Sequence, residues 1–240
     1  MKYLKINPGG NITAIVRDNF TQKEKVKLSQ KIMRKDKTIE QVGFWSHSKN
    51  KKNDGFLDMA GGELCGNAMR ALGMLIYKET GKSILKLESS GTNEVVKTYI
   101  KGSDSAIKLS LDDFSGSKNY CSLPGIKYFI TKKVFERVKA YNILKRKFGK
   151  FPASGIISYK KEKSLYVIKP IIWVRAVDSL IEETACGSGT LALAFLIYSK
   201  YKTRNFKIKQ PSGSIFDVVV GKRYINLSGP ILKIENIILL

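Results

Sequence analysis

The chain has 240 residues, of which 43% are hydrophobic and 10% aromatic. That length suits one large domain or two small ones with their own cores, and the composition excludes a disordered chain. Lys and Arg number 43 against 20 Asp and Glu, for a formal charge of +23, but only eight of the cations are arginines and 35 are lysines. Base readout depends on the bidentate guanidinium fork, so the excess describes a solvated, lysine-rich surface, and no nucleic-acid partner is expected.

Three cysteines, Cys65, Cys121 and Cys186, are odd in number and far apart, with no C-x-x-C spacing. This argues against a disulfide framework or zinc ribbon. The start, Met1 to Lys5, lacks the apolar stretch of a secretory signal. No apolar run approaches the roughly 20 residues that cross a bilayer. A cytoplasmic protein with reduced thiols and no membrane partner is expected.

In chain order, a Pro8-Gly9 turn precedes an alternating strand at Ala14-Ile15-Val16. A basic amphipathic helix is predicted over Gln22–Lys35, with Val26, Ile32 and Met33 at helical spacing. A strand follows at Val42–Trp45, then a helix opening after Cys65 that is apolar nearly all round (Ala71, Leu72, Met74, Leu75, Ile76). Two more strands flank Ser90-Gly91, the last including Ile107–Ser110. The same order then recurs. Pro124-Gly125 precedes a strand at Tyr128-Phe129-Ile130, and a helix is predicted over Lys133–Lys147 with Val134, Val138, Tyr141 and Leu144 as its apolar stripe. Lys145 to Lys147 belong to that helix's polar side, and Lys160 to Lys163 read as a solvated turn. A strand at Ile156–Tyr159, an apolar helix after Cys186, the Ser212-Gly213 turn and a strand at Ile225–Ser228 complete the series.

Aligning CGNAMRALGMLIY (65–77) with CGSGTLALAFLIY (186–198) matches Cys, Gly, Ala, Leu, Leu, Ile and Tyr at an offset of 121. The neighbouring landmarks follow at offsets between 116 and 122. The chain therefore reads as two similar halves, 1–118 carrying Cys65 and 119–240 carrying Cys186. A helix apolar on every face is surrounded by other elements. The expected fold class is α/β (α+β), with mixed strands around one buried helix, built twice.

Each of these two cysteines stands just before a helix and is followed by glycine. A helix start offers free N–H groups and the positive end of the macrodipole, an environment that lowers a thiol's pKa toward neutrality and holds a carboxylate. Two such starts facing each other suit racemisation: one thiolate takes the Cα proton and the opposite thiol returns one to the other face. Cys121 has no counterpart and reads as a small buried hydrophobe. Other chemistries fit poorly. The one histidine, His47, lies in a polar loop-like stretch, and Gly81-Lys82-Ser83 lacks the first glycine of a phosphate loop. No His, Cys and carboxylate cluster has metal-ligand spacing.

Cys65-Gly66-Asn67 and Glu183-Thr184-Ala185-Cys186-Gly187-Ser188-Gly189 resemble the paired motifs of the diaminopimelate epimerase-like racemases. Within that superfamily the chain is most similar to the histidine racemases of opine-type metallophore biosynthesis. Asn7 to Asn11, Glu40 to Phe44, Cys65 to Ala68, Glu183 to Thr190 and Gln210 to Ile215 carry this similarity. The resemblance implies two pseudo-symmetric domains, each a strand barrel around a central helix, with the site in the cleft between them. It implies a homodimer acting on a small amino acid, with no pyridoxal phosphate, metal or other cofactor. It also implies that Cys65 and Cys186 are the acid–base pair. Asn67, with the backbone of Gly66, Ala68, Gly187, Ser188 and Gly189, would hold the α-carboxylate. Asn11 and Glu183 would attend the α-amino end, and Glu40 would select the side chain or else be a surface carboxylate at a strand start. The epimerase's arginine for a distal carboxylate is absent, and Asp178 stands roughly in its place. That absence argues against diaminopimelate without identifying histidine. The resemblance implies histidine as the substrate, with diaminopimelate or another small acid as the alternative and a lysine-rich nucleic-acid-binding protein as a remote one.

Overall fold

The computed structural model describes the backbone of residues 2–239 and side chains through residue 235; residues 1 and 240, the outer limits of the two expected halves, lie outside the described residues. The first half contains β1 (Lys2–Asn7), β2 (Thr13–Arg17), α1 (Gln22–Lys35), β3 (Gln41–Ser46), β4 (Gly55–Met59) and α2 (Gly66–Thr80). It continues with β5 (Ile84–Ser89), β6 (Val96–Lys101), β7 (Asp104–Ser110) and β8 (Ser115–Ser117). The second contains β9 (Tyr120–Leu123), β10 (Ile126–Thr131), α3 (Arg137–Phe148), β11 (Ala153–Glu162), β12 (Leu165–Val174) and β13 (Ser179–Glu182). After these come α4 (Gly187–Tyr201), β14 (Asn205–Lys209), β15 (Ile215–Val220), β16 (Tyr224–Pro230) and β17 (Lys233–Leu239).

Pairing follows the repeat. β2 and β3 run parallel across α1, as β10 and β11 do across α3. β4 and β5 run parallel across α2, as β12 and β14 do across α4. Each half thus curls a mixed sheet around one helix, and α2 is buried from Gly66 to Ile76. The two sheets join where β7 meets β16 antiparallel, with Lys108 opposite Asn226, its own counterpart 118 residues on. A local twofold therefore passes through that pair. Terminal strands cross over: β17 pairs with β1 and β8 with β9, so each curled sheet is extended by the last strand of the other half. β13 is an addition to the second half, hairpinned onto the end of β12.

Strand alternation divides the core as a period of two requires. Ala14, Val16, Val42 and Phe44 face outward against Ile32 of α1, whereas Ile15 and Leu57 face the central helix. α1 spans the expected Gln22–Lys35 because a capping box closes its start: Thr21 accepts from Glu24 N–H while Glu24 accepts from Thr21 N–H at 2.7 Å. The second amphipathic helix departs from expectation. It starts at Arg137 without a side-chain cap, and Val134 and Val138 are exposed. Its buried stripe is Ala140, Leu144 and Phe148, packed on Ile156, Ile171 and Trp173. The expected turn at Lys160 to Lys163 is shifted as well, since β11 continues to Glu162. No helix among the described residues is long and apolar enough to cross a membrane.

Candidate active site

Cys65 is the N-cap of α2 and Cys186 the N-cap of α4, each sulfur accepting an N–H three residues on: Ala68 at 3.4 Å and Gly189 at 3.3 Å. The two helix starts abut. A Cβ placed on Gly66 would lie 3.5 Å from the carbonyl carbon of Gly187, and one on Gly187 would lie 2.8 Å from Asn67 Oδ1. Only glycine lets the two backbones approach this closely. Cys121 lies buried in β9, as a core residue.

Asn67 stitches the halves: its Nδ2 donates to the Ala185 carbonyl at 3.0 Å, and its Oδ1 accepts from Arg70 Nη1 at 3.3 Å. Both ends of its amide are hydrogen-bonded in this structure. The N–H groups of Ala68 and Gly189, expected on a carboxylate, serve the two sulfurs instead. Glu40 is half-buried at the step into β3 and tied down by hydrogen bonds. Its Oε2 accepts from Asn11 Nδ2 at 3.1 Å and from Thr184 N–H at 3.0 Å, so it latches β3 to the segment before Cys186. Asp178 caps the β12–β13 turn, accepting from Trp173 Nε1 at 2.8 Å and from the Tyr141 hydroxyl at 3.2 Å.

An inner cavity of about 40 Å3 is lined by Cys65, Glu40, Gln41, Glu63, Tyr128, Glu183 and Ser188, and by no lysine or arginine. This volume holds about one water and is smaller than an amino acid. A far larger groove of about 990 Å3 lies outside it between the halves and shares Glu40, Ser179 and Ile181 with it. Cys65 lines the smaller space, and Cys186 is not among its lining residues.

Charge in that cavity is one-sided. Burial pushes Glu183 up to about 8, reinforced by the charge of Glu40. Burial likewise pushes Glu63 up to about 7 and raises Glu40. The thiols go the same way: burial takes Cys65 up to about 12 against the pull of the Ala68 N–H, with Glu183 and Glu63 adding to the rise. Burial, then Glu183, holds Cys186 well above an ordinary thiol. The expected lowering by the helix starts is therefore reversed in this state. A helix terminus contributes about 0.3–1 kcal/mol, which desolvation beside carboxylates outweighs.

Five neighbours escape sequence reasoning. Tyr128 donates or accepts at 2.6 Å with Ser188 Oγ and stands 3.9 Å from Cys186 Sγ. Gln210 Oε1 accepts from Cys186 N–H at 2.9 Å. Gln41 Oε1 accepts from Cys65 Sγ at 2.9 Å. Glu63 is buried with its Oε2 unpartnered. Arg70, wholly buried, donates to the carbonyls of Ser105, Pro230 and Pro8 and stacks 4.5 Å over Phe216. Glu63 and Arg70 flank the first motif and Gln210 stands in the last similar segment, but nothing local indicates their tasks.

Twin curled sheets, each around a helix capped by cysteine, make up an epimerase-like fold. Solved structures agree at the level of fold: a PhzF-family phenazine biosynthesis protein from Enterococcus faecalis superposes with TM-score 0.63 at 12% identity, each chain covered in full. A predicted epimerase from Pseudomonas aeruginosa gives 0.63 at 14% identity over 98% of both chains. In sequence, the family model described as the histidine racemase CntK N-terminal domain matches residues 1–112 and 126–229. A histidine racemase of Fusobacterium nucleatum is 30% identical over 96% of this chain and 94% of its own. One from Staphylococcus aureus is 24% identical over 93% and 89%. The chain belongs to the histidine racemase family, and it is an isomerase, a racemase of amino acids.

Proposed function

We propose that this racemase works without cofactor through two cysteines, and that histidine is its preferred substrate. The observation that carries the reading is a pair of thiols capping abutting helix starts, beside three carboxylates with no cation among the cavity's lining residues. Glu40, Glu63 and Glu183 call for positive charge, which a substrate with an ammonium group and an imidazolium supplies. Its arrival offsets the like-charge repulsion that adds to burial in holding the thiols protonated, so one thiolate forms where the Cα proton is presented. That thiolate takes the proton from one face, and the opposite thiol protonates the other. The unoccupied N–H donors of the helix starts receive the substrate carboxylate as its charge grows.

Entry requires the outer groove and inner cavity to merge, and their shared wall is Glu40, Ser179 and Ile181. The inner cavity's described lining has no lysine or arginine to pair a distal carboxylate. Arg34, Lys37 and Arg137 line the outer groove, however, so diaminopimelate belongs in the substrate panel. The two halves 1–118 and 119–240 are read as the two domains, with a homodimer in the cytoplasm as the setting. These last features rest on family resemblance, and analytical ultracentrifugation tests the dimer. The deciding experiment incubates a panel of amino acids with the enzyme in deuterated water. Cα exchange with loss of optical activity is expected, fastest for histidine. Absence of exchange with every amino acid overturns the racemase mechanism, and exchange fastest with another amino acid overturns the substrate.

A further inference from the structure

The hydrogen bonds around Cys65 have a direction that can be deduced from one fixed end. Backbone N–H groups only donate, so Glu40 Oε2, which receives the Thr184 N–H at 3.0 Å, is an acceptor whether or not its partner oxygen carries a proton. Asn11 must then turn its amide nitrogen toward Glu40, at 3.1 Å. This leaves Asn11 Oδ1 facing Thr13 Oγ1 at 3.3 Å, with the Asn11 carbonyl at the same distance, so the single Thr13 hydroxyl proton points toward Asn11. Thr13 Oγ1 is thereby an acceptor for Gln41, whose Nε2 lies 2.6 Å away. Gln41 consequently presents its carbonyl oxygen, not its NH2, to Cys65 at 2.9 Å. Only a thiol can complete that last bond. A thiolate there would face an oxygen lone pair.

Cys186 receives a helix-start N–H as Cys65 does, and burial and the neighbouring Glu183 carboxyl raise it, but the oxygen of Gln210 bonds its backbone N–H and not its sulfur. The Tyr128 hydroxyl stands 3.9 Å off that sulfur.

We propose that Thr13 and Gln41 are positioning residues that hold Cys65 as the thiol in the substrate-free enzyme, making Cys65 the proton donor and Cys186 the proton acceptor for one enantiomer, with the roles exchanged for the other. The assignment of donor and acceptor rests on the two-cysteine racemase reading. In the step, Cys186, having released its proton to water as the cationic substrate binds, takes the Cα proton as that C–H bond breaks. The Cys65 S–H bond then breaks and its proton joins the opposite face. Turnover leaves Cys186 a thiol and Cys65 a thiolate. The facing Gln41 oxygen disfavours that thiolate, which takes a proton from water after product leaves, while Cys186 gives its proton to water when the next substrate binds. Glu63, Glu40, Glu183, Arg70 and Tyr128 are the titratable groups around Cys65, with Cys186 beyond them beside Glu183 and Tyr128. All but Cys186 keep their identity in the test.

The test titrates Cys65 by its ultraviolet thiolate absorbance in a Cys121→Ser, Cys186→Ser background, so that one thiol reports. Thr13→Val preserves shape but removes the hydroxyl, freeing the Gln41 amide to turn its NH2 to the sulfur. The titration midpoint is expected to fall by about one pH unit, the tenfold change that one hydrogen bond is worth. Thr13→Ser, which keeps the hydroxyl, should return it to the parental value. Gln41→Asn, too short to reach the sulfur, covers the case in which Thr13→Val fails to fold and should lower the midpoint likewise. A midpoint unmoved or raised in both Thr13→Val and Gln41→Asn overturns the proposal, as does a Thr13→Ser midpoint as low as that of Thr13→Val. The readout needs no turnover, so an enzyme inactive on every amino acid would sink the racemase reading while leaving this titration interpretable.

Discussion

Glu63→Gln offers a test in which stability and pH answer together. The Glu63 carboxyl is buried, at 8% exposure, with Oε2 unpartnered, and burial lifts its pKa from 4.5 to about 7. Between those values the folded protein keeps a proton that the unfolded chain has lost, so stability falls as pH rises through this window. The full rise corresponds to about 3 kcal/mol, reached above pH 7 and absent below the unfolded value. Glutamine keeps the shape and cannot ionise. Urea unfolding followed by fluorescence should therefore show Glu63→Gln close to the parent near pH 4.5 and more stable by about 3 kcal/mol at pH 8. A difference that is the same at both pH values, or a variant less stable at pH 8, would refute the reasoning, since neither can come from a buried carboxyl forced to ionise. If the charge is kept for the substrate's cation, the same variant should also raise the KM for histidine.

Cys65→Ser and Cys186→Ser should each abolish racemisation, whereas Cys121→Ser should keep it within a few-fold; equal loss in all three would displace the chemistry from the helix starts. Gly187→Ala adds a Cβ 2.8 Å from Asn67 Oδ1 and 3.1 Å from its backbone nitrogen, so it should spread the helix starts. A loss of about 1–3 kcal/mol in thermal or urea unfolding is expected, with exchange reduced. Arg70→Met fills the volume but strands the carbonyls of Ser105 and Pro230, and loss of those bonds should cost about 2–5 kcal/mol of unfolding free energy.

Residues whose partners are near in sequence were readable. Thr21 and Glu24 are three apart, so their capping box and the start of α1 follow from local pattern. The duplicated Cys-Gly starts and the all-round apolar faces of α2 and α4 likewise announce buried central helices. α3 was misread because periodicity counts apolar residues without knowing where the chain bends: Val134 precedes the helix and Val138 falls on its solvent side. The task of Glu40 was not legible, since its partner Thr184 is 144 residues away. The polarity of the Gln41 carboxamide depends on a chain that begins at that same distant contact.

Two matched cysteines, each at a helix start, are a property of the sequence, because capping and apolar periodicity act over a few residues. Repetition of the pattern is enough to imply two similar halves around two buried helices. Whether those thiols rest charged or neutral was decided only by tertiary structure. Helix ends favour the thiolate by local geometry, but packing the halves together removes water and sets Glu40, Glu63 and Glu183 around the cavity. Desolvation and like charge, which no local spacing encodes, are stronger than the pull of a helix terminus, so the folded protein waits with its thiols protonated.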